Sequence, residues 1–329
     1  MFVKFLGIIS LMSNFWKDLK RPFTVLAPME GVTDYVFREI INEIGRPDVF
    51  FTEFTNVEGL NSKGAEKVEE SLRFDPHEAP IVAQLWGKDI GAFTKSAKLC
   101  QEKGFSGIDI NMGCPDRVIV NRGSCAALIK NPKLAGEIIE ATKKGAGDLP
   151  VSVKTRIGFN EFDLSWIKFV LTQNINVLTV HLRTVAELSK VPAHWDLMTE
   201  IIKLRDEIAP NTLIIGNGDL KTYEEIDEKF EIYKCDGFMI GRGIFQNPWV
   251  FNRKINIEKI TTKERLDLFL RHIDLFDATW SEKNPAFLKK FCKTYLNNFS
   301  DAATTREKIM ECVTTQEMRE VLKNCKTNH

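Results

Sequence analysis

Net charge is the first thing this chain lacks. Its 329 residues carry 45 Lys+Arg against 45 Asp+Glu, so the whole molecule offers no electrostatic footprint for a polyanion, and any nucleic-acid site must be a local patch. Long apolar runs are missing too. No stretch approaches the roughly 20 consecutive apolar residues that cross a bilayer, so no membrane partner is expected. The run Phe5 to Met12 after Lys4 is short, no small-residue cleavage site follows it, and Trp16-Lys17-Asp18-Leu19-Lys20-Arg21 is charged. Residues 1–20 therefore read as an N-terminal extension, frayed or packed, rather than a signal peptide. The seven cysteines are odd in number, widely spaced and free of CxxC pairs, which argues against a zinc site or disulfide framework and for reduced thiols in the cytoplasm. No internal repeat beyond an alternation of β and α units and no low-complexity tract is present, and no metal site is expected.

What is there is alternation. From Arg21 onward, short β-rich runs alternate with helical patterns, the mark of repeated βα units and a parallel sheet. Strands are expected at Phe23 to Ala27, Val49 to Phe54, Ile81 to Trp86, Gly107 to Asn111, Val151 to Thr155, Val177 to Leu182, Thr212 to Gly216 and Gly237 to Ile240. Helices are expected at Thr33 to Ile44, Ile90 to Lys103, Pro132 to Lys144, Asp163 to Gln173, Trp195 to Ile208 and Tyr223 to Tyr233. Eight strands within about 230 residues match a (β/α)8 TIM barrel. An open doubly wound sheet is the alternative, but no GxGxxG follows the first strand.

After about Asn256 the strand-like runs stop, which divides the chain into an extension (1–20), a barrel (21–255) and a small all-helical domain (256–329). Lys263 to Trp280 repeats Leu266, Phe269, Leu270, Ile273 and Phe276 at helical spacing. Phe287, Phe291, Tyr295 and Phe299 fall four apart and predict one aromatic stripe, with Lys289, Lys290 and Lys293 on the other side. Those lysines are either a solvated face or a phosphate-contacting one. The segment holds 13 Lys+Arg against 11 Asp+Glu, so composition does not decide.

In a barrel the chemistry collects where strands finish. Strand four ends Asp109-Ile110-Asn111-Met112-Gly113-Cys114-Pro115, a turn that presents a thiol, because Gly tolerates positive φ and Pro fixes its own. Strand one ends Pro28-Met29-Glu30-Gly31, with Thr33 as the expected helix cap, and strand three ends at Gln84-Leu85-Trp86, where one amide carries both donor and acceptor. Lys154 and Arg156 close strand five; His181 and Arg183 close strand six. Gly216-Asn217-Gly218-Asp219 and Gly241-Arg242-Gly243 follow strands seven and eight, where barrels cradle a phosphate with backbone N–H groups, and Arg242 adds a fork of donors.

Read together with Gly123-Ser124-Cys125-Ala126-Ala127-Leu128 and Val153-Lys154-Thr155-Arg156-Ile157-Gly158, these pieces resemble the tRNA-dihydrouridine synthases over about Leu26 to Pro248. The resemblance implies an FMN-containing TIM barrel with a helical tail that reduces uridines in tRNA, with NADPH or NADH as reductant. It implies that Pro28, Met29 and Glu30 line the flavin, that Gln84 and Lys154 contact its ring, that Asn217, Gly218, Asp219, Gly241 and Arg242 hold ribityl and phosphate, and that His181 also lies at the flavin. Cys114 matches the catalytic cysteine. Asn111, Arg156, Arg183, Lys289, Lys290 and Lys293 are expected on the tRNA side, with no obligate protein partner and a monomer. After Thr184 the chain departs from the family at Val185 and Ser189-Lys190-Val191, a loop that bears on which uridine is chosen.

In this reading Lys154 stabilises the anion that builds up as the flavin is reduced, hydride passes to uracil C6, and Cys114 protonates C5 from a thiol near its ordinary pKa of about 8.5. Two other readings stand beside it: a dihydroorotate dehydrogenase-like oxidoreductase on a free pyrimidine, and a non-catalytic RNA-binding barrel. The helical tail argues against the first, and the intact cysteine, lysine and phosphate-loop set against the second.

Overall fold

A computed structural model of the chain describes residues 14–326; the apolar run Phe5 to Met12 lies outside the described residues. Eight strands form one parallel sheet: β1 (Phe23–Leu26), β2 (Phe50–Asn56), β3 (Ile81–Trp86), β4 (Gly107–Met112), β5 (Val151–Arg156), β6 (Val177–His181), β7 (Leu213–Asn217) and β8 (Gly237–Ile240). Their order is β1-β8-β7-β6-β5-β4-β3-β2. The sheet closes where Val25 bridges Val49: Leu26 N–H donates to Val49 O at 3.2 Å and Val49 N–H to Thr24 O at 3.1 Å. This is the (β/α)8 barrel, with strand ends within two residues of the sequence expectation.

The helices begin where side chains can cap them. Asp34, Asp89, Asn131 and Asp163 each accept a backbone N–H of the first turn, and Thr222 with Glu225 forms a capping box. The first barrel helix, Tyr35–Gly45, thus starts one residue past Asp34 and not at Thr33. The Thr33 hydroxyl instead accepts the Met29 N–H at 2.9 Å and closes the β1 loop.

Alternation along the strands sorts side chains into two cores. Ile108, Ile110, Val151 and Val153 face outward under the helices. Phe23, Val25, Val49, Phe51, Val82, Val177, Leu213, Ile215 and Met239 fill the lower barrel. Trp16 plugs that end at 1% exposure, stacked on Phe15 with centroids 4.5 Å apart and tilted against Phe23 at 5.6 Å. The described part of the extension is therefore packed. The upper interior is polar, with Gln84, Asp109, Asn111, Ser152, Thr179 and Asn217 all buried.

Past the barrel, helix Thr262–Thr279 carries its own capping box of Thr261 and Glu264. The predicted single stripe over Phe287 to Phe299 is instead two short turns, Ala286–Lys289 and Cys292–Tyr295. Phe291 N–H bonds one residue short of the α pattern, to Leu288 O at 3.0 Å, which breaks the run. Phe291 then stacks on Phe37 of the first barrel helix at 4.8 Å, while Phe287 stays exposed.

Trp16→Ala is expected to cost about 3–5 kcal/mol by leaving a cavity under the barrel. Urea unfolding checks this, and an unchanged midpoint would show that the plug does not stabilise the barrel.

Candidate active site

A cavity of about 910 Å³ opens at the carboxyl ends of the strands. Most of the barrel-side wall comes from strand ends: Pro28 and Met29, Gly113, Lys154 and Arg156, His181 and Arg183, Asn217 to Asp219, and Gly241 with Arg242. Lys290 and Lys293 complete it from the short helical turns.

The cysteine turn is held from within. Asn111 points into the barrel by strand parity, and its Oδ1 accepts the N–H groups of Gly113 and Cys114, each at 3.0 Å. Its Nδ2 donates to Gln84 Oε1 at 3.0 Å, and Gln84 Nε2 donates to Asp109 Oδ2 at 2.7 Å. Arg156 grips the same turn from β5. Its Nε donates to Gly113 O at 2.8 Å and its Nη1 to Thr184 O and Leu188 O, both at 2.9 Å. Cys114 is left half-buried at the apex.

The thiol differs from the sequence expectation. A hydrogen bond from the Cys125 side chain lowers the Cys114 pKa; burial opposes this, and the Asp116 N–H and Lys154 charge assist, bringing it to about 7. Burial, then the Arg156 charge, pulls Lys154 down to about 8. Burial also pushes His181 well below its ordinary value, so the ring is neutral. His181 Nε2 faces Arg183 Nη1 at 3.4 Å and accepts from it, which leaves the ring proton on Nδ1. That Nδ1 is buried and has no partner among the described residues.

The two glycine loops approach as closely as backbones allow. A Cβ on Gly243 would lie 2.1 Å from Leu220 O, and Gly218 sits at φ +140° with Trp195 Nε1 donating to its carbonyl at 3.0 Å. Asn217 Nδ2 donates to Met239 O at 2.8 Å, tying β7 to β8. Arg183 pairs with Asp219 and donates to Val191 O at 2.6 Å; against the push of burial, that guanidinium and the Ala193 N–H hold the Asp219 carboxyl below the usual range.

Not every expected residue reaches the cavity wall. Gln84 and Asn111 lie beneath it, engaged with each other, and Glu30 is exposed on the β1 loop beside the cavity. Arg156 and Arg183, expected on RNA phosphates, are buried clamps whose donors meet protein carbonyls and Asp219. Lys289 turns away to Met310 O at 2.7 Å. Three residues were missed. Asp109, pushed up to about 6 by burial, anchors the Gln84 network, and the outward Ile108 and Ile110 on either side could have flagged it as inward. Glu53, pushed up to about 7 by burial and the Asp34 and Glu30 charges, accepts the Gly31 N–H. Cys125 against Cys114 had no sequence signal.

Iodoacetamide at pH 7.5 is expected to alkylate Cys114 first. Alkylation needs the thiolate, so its rate should rise with pH through about 7, while Cys100 and Cys235, pushed up to about 12 by burial, stay inert until the protein unfolds. Peptide mass spectrometry reads the order, and equal labelling of the folded chain's cysteines would refute the perturbed thiol.

A model of the dihydrouridine synthase (Dus) family matches residues 25–329. A probable tRNA-dihydrouridine synthase 2 of Bacillus subtilis (strain 168) is 47% identical over 314 residues, spanning 94% of this chain and 95% of its own. A probable tRNA-dihydrouridine synthase of Staphylococcus aureus (strain COL) is 46% identical over 317 residues, with 94% of each chain covered. Among solved structures, histamine dehydrogenase from Rhizobium sp. 4-9 aligns with a TM-score of 0.53 at 14% identity, over 77% of this chain and 48% of its own. Morphinone reductase in complex with tetrahydroNAD aligns at 0.50 and 11% identity, over 70% of this chain and 85% of its own. These two distant likenesses bear on the barrel fold alone. On the family match, and on relatives that run nearly end to end, the chain belongs to the dihydrouridine synthase family.

Proposed function

We propose that this protein is a flavin-dependent tRNA-dihydrouridine synthase, which reduces the C5–C6 double bond of uridine in tRNA at the expense of NADPH or NADH. The observation that carries the reading is the half-buried Cys114 thiol beside a strand-end cavity in a chain of this family. Its seven free cysteines suit a reducing, cytoplasmic setting.

The residues present fit FMN. His181 Nδ1–H is a buried donor with no partner among the described residues, and Lys154 lines the same cavity, so its floor offers two donors to the electron-rich edge of a heteroaromatic ring. The closely packed glycine loops after β7 and β8, with Arg242, would hold a phosphate. Pro28 and Met29 would lie against the ring system. When bound, the flavin supplies hydride transfer between nicotinamide and pyrimidine. Lys154 places positive charge where electron density accumulates. Cys114 delivers the proton to C5, and a thiol with pKa about 7 is matched to proton transfer at neutral pH.

A uridine within tRNA has to leave its stack to reach the floor of this cavity. The helical segment after Asn256 is the proposed tRNA-binding domain, with Lys289, Lys290 and Lys293 its expected phosphate contacts. Lys293, exposed on the cavity rim, is the least encumbered of the three.

Cys114→Ala is expected to keep its flavin and its nicotinamide oxidation yet lose roughly 10²–10⁴-fold in dihydrouridine formation. Mass-spectrometric mapping of tRNA checks it, and full turnover would remove Cys114 from the mechanism. Lys293→Ala is expected to weaken tRNA binding and lower the slope of log affinity against log salt by about one. A salt-independent affinity would refute the basic rim.

A further inference from the structure

The peptide at Gly31 is gripped from two sides. Glu53 Oε1 accepts its N–H from β2, and Lys290 Nζ donates to its carbonyl from the helical segment. Packing adds little to that grip. Gly31 sits at φ +65°, and a Cβ there would find only Lys290 Nζ, at 2.9 Å, within 4 Å beyond its chain neighbours.

Glu53 reaches the peptide because β2 is irregular at that point. The β2–β3 register shifts between Phe51 and Phe54, and there Gln84 N–H donates to Thr52 Oγ1 at 3.1 Å. The irregularity aims a carboxyl that is only 8% exposed at a single backbone N–H. Such burial is unfavourable unless a donor meets the group, and the Gly31 N–H is that donor. Neither neighbouring carboxyl replaces it: Asp34 caps the first barrel helix, and Glu30 is exposed.

The loop before and after Gly31 is stiff. Thr33 Oγ1 accepts the Met29 N–H at 2.9 Å, and the Val32 and Thr33 N–H groups both donate to Met29 O at 3.0 Å, so a shift of Gly31 carries Met29 with it. Pro28, Met29 and Lys290 line the large cavity, whereas Glu53 is not part of its wall.

Resting on the flavin reading above, we propose that Glu53 and Lys290 are positioning residues for the flavin. By holding the Gly31 peptide from opposite sides they fix Pro28 and Met29 on the cavity wall, and they tie the flavin's seat to the helical segment. A lysine carries three N–H donors, so the bond to Gly31 leaves Lys290 two for an RNA phosphate.

The test follows FMN release from the loaded full chain, read as recovery of flavin fluorescence on dilution, in Lys290→Met, Lys290→Arg, Glu53→Leu, Glu53→Gln and the Glu53→Leu/Lys290→Met pair. The methionine and leucine variants are each expected to raise the FMN dissociation constant about tenfold and to move the visible flavin band toward that of free FMN. Arginine keeps a donor and glutamine an acceptor, so both should stay near the parent. The double variant should lose about as much as either single one, because both residues act through one peptide. If Lys290 met the flavin directly instead, the two losses would multiply to about a hundredfold and the proposal would fall. It would fall equally on an unchanged FMN release in Lys290→Met, whose site is exposed and leaves the barrel core intact should Glu53→Leu fail to fold. A parent chain that takes up no FMN sinks the flavin reading itself, whereas a yellow parent with unaltered variants sinks only the grip on Gly31.

Discussion

One buried guanidinium holds the active-site end of the barrel together. Arg156 reaches from β5 to the carbonyl of Gly113 in the cysteine turn and to those of Thr184 and Leu188 in the loop after β6. Charge so far from water is tolerable only where acceptors surround it, and three carbonyls from two loops meet that need. The bond works in both directions. The loops satisfy the cation, and the cation fixes the distance between the thiol's turn and the loop after β6.

The barrel interior divides by height, and the division follows from strand parity. Below, aromatic and branched side chains pack dry down to Trp16. Above, Gln84, Asp109, Asn111, Ser152, Thr179 and Asn217 are polar, with Ala27 and Met239 the apolar part of the wall, and burial sets the protonation states there. It keeps His181 neutral and pulls Lys154 down to about 8, so that one neutral donor and one adjustable cation share a floor. Asp109 deeper in the barrel is bonded by Ser152 Oγ at 2.6 Å and by Gln84, which aligns the amide chain running up to Asn111 and the cysteine turn.

Aromatic stacking, the Arg271–Glu43 ion pair and one peptide join the helical segment to the barrel. Phe291 lies between Phe37 and His272, and Tyr295 OH meets His272 Nδ1 at 2.9 Å. Burial lowers His272 to about 3, so this contact is a neutral one. The Gly31 peptide is held from both sides: Glu53 accepts its N–H and Lys290 donates to its carbonyl. A loop that lines the cavity is thus shared between β2 and the helical segment, and the cavity takes its shape from both.

Much of this was legible in the order of residues. Alternating βα units announced the barrel, because apolar periodicity of two and of 3.6 survives in the string whatever surrounds it, and the turn chemistry of Gly113-Cys114-Pro115 and of the two glycine loops marked strand ends. Membership in the family could be read from those same turns. What stayed hidden was every choice that depends on which distant segment arrives next to a side chain. The string showed Arg156 and Arg183 as cations at strand ends, but not the loop carbonyls and Asp219 that the fold brings to them. Gln84 was visible as an amide at a strand end, but not its bonds to Asp109 and Asn111. Cys114 looked like an ordinary thiol, because a neighbour eleven positions on leaves no trace of itself until a left-handed turn brings Cys125 back against it. Periodicity is a local property of the chain, whereas protonation and hydrogen-bond pairing belong to the space that the folded chain encloses.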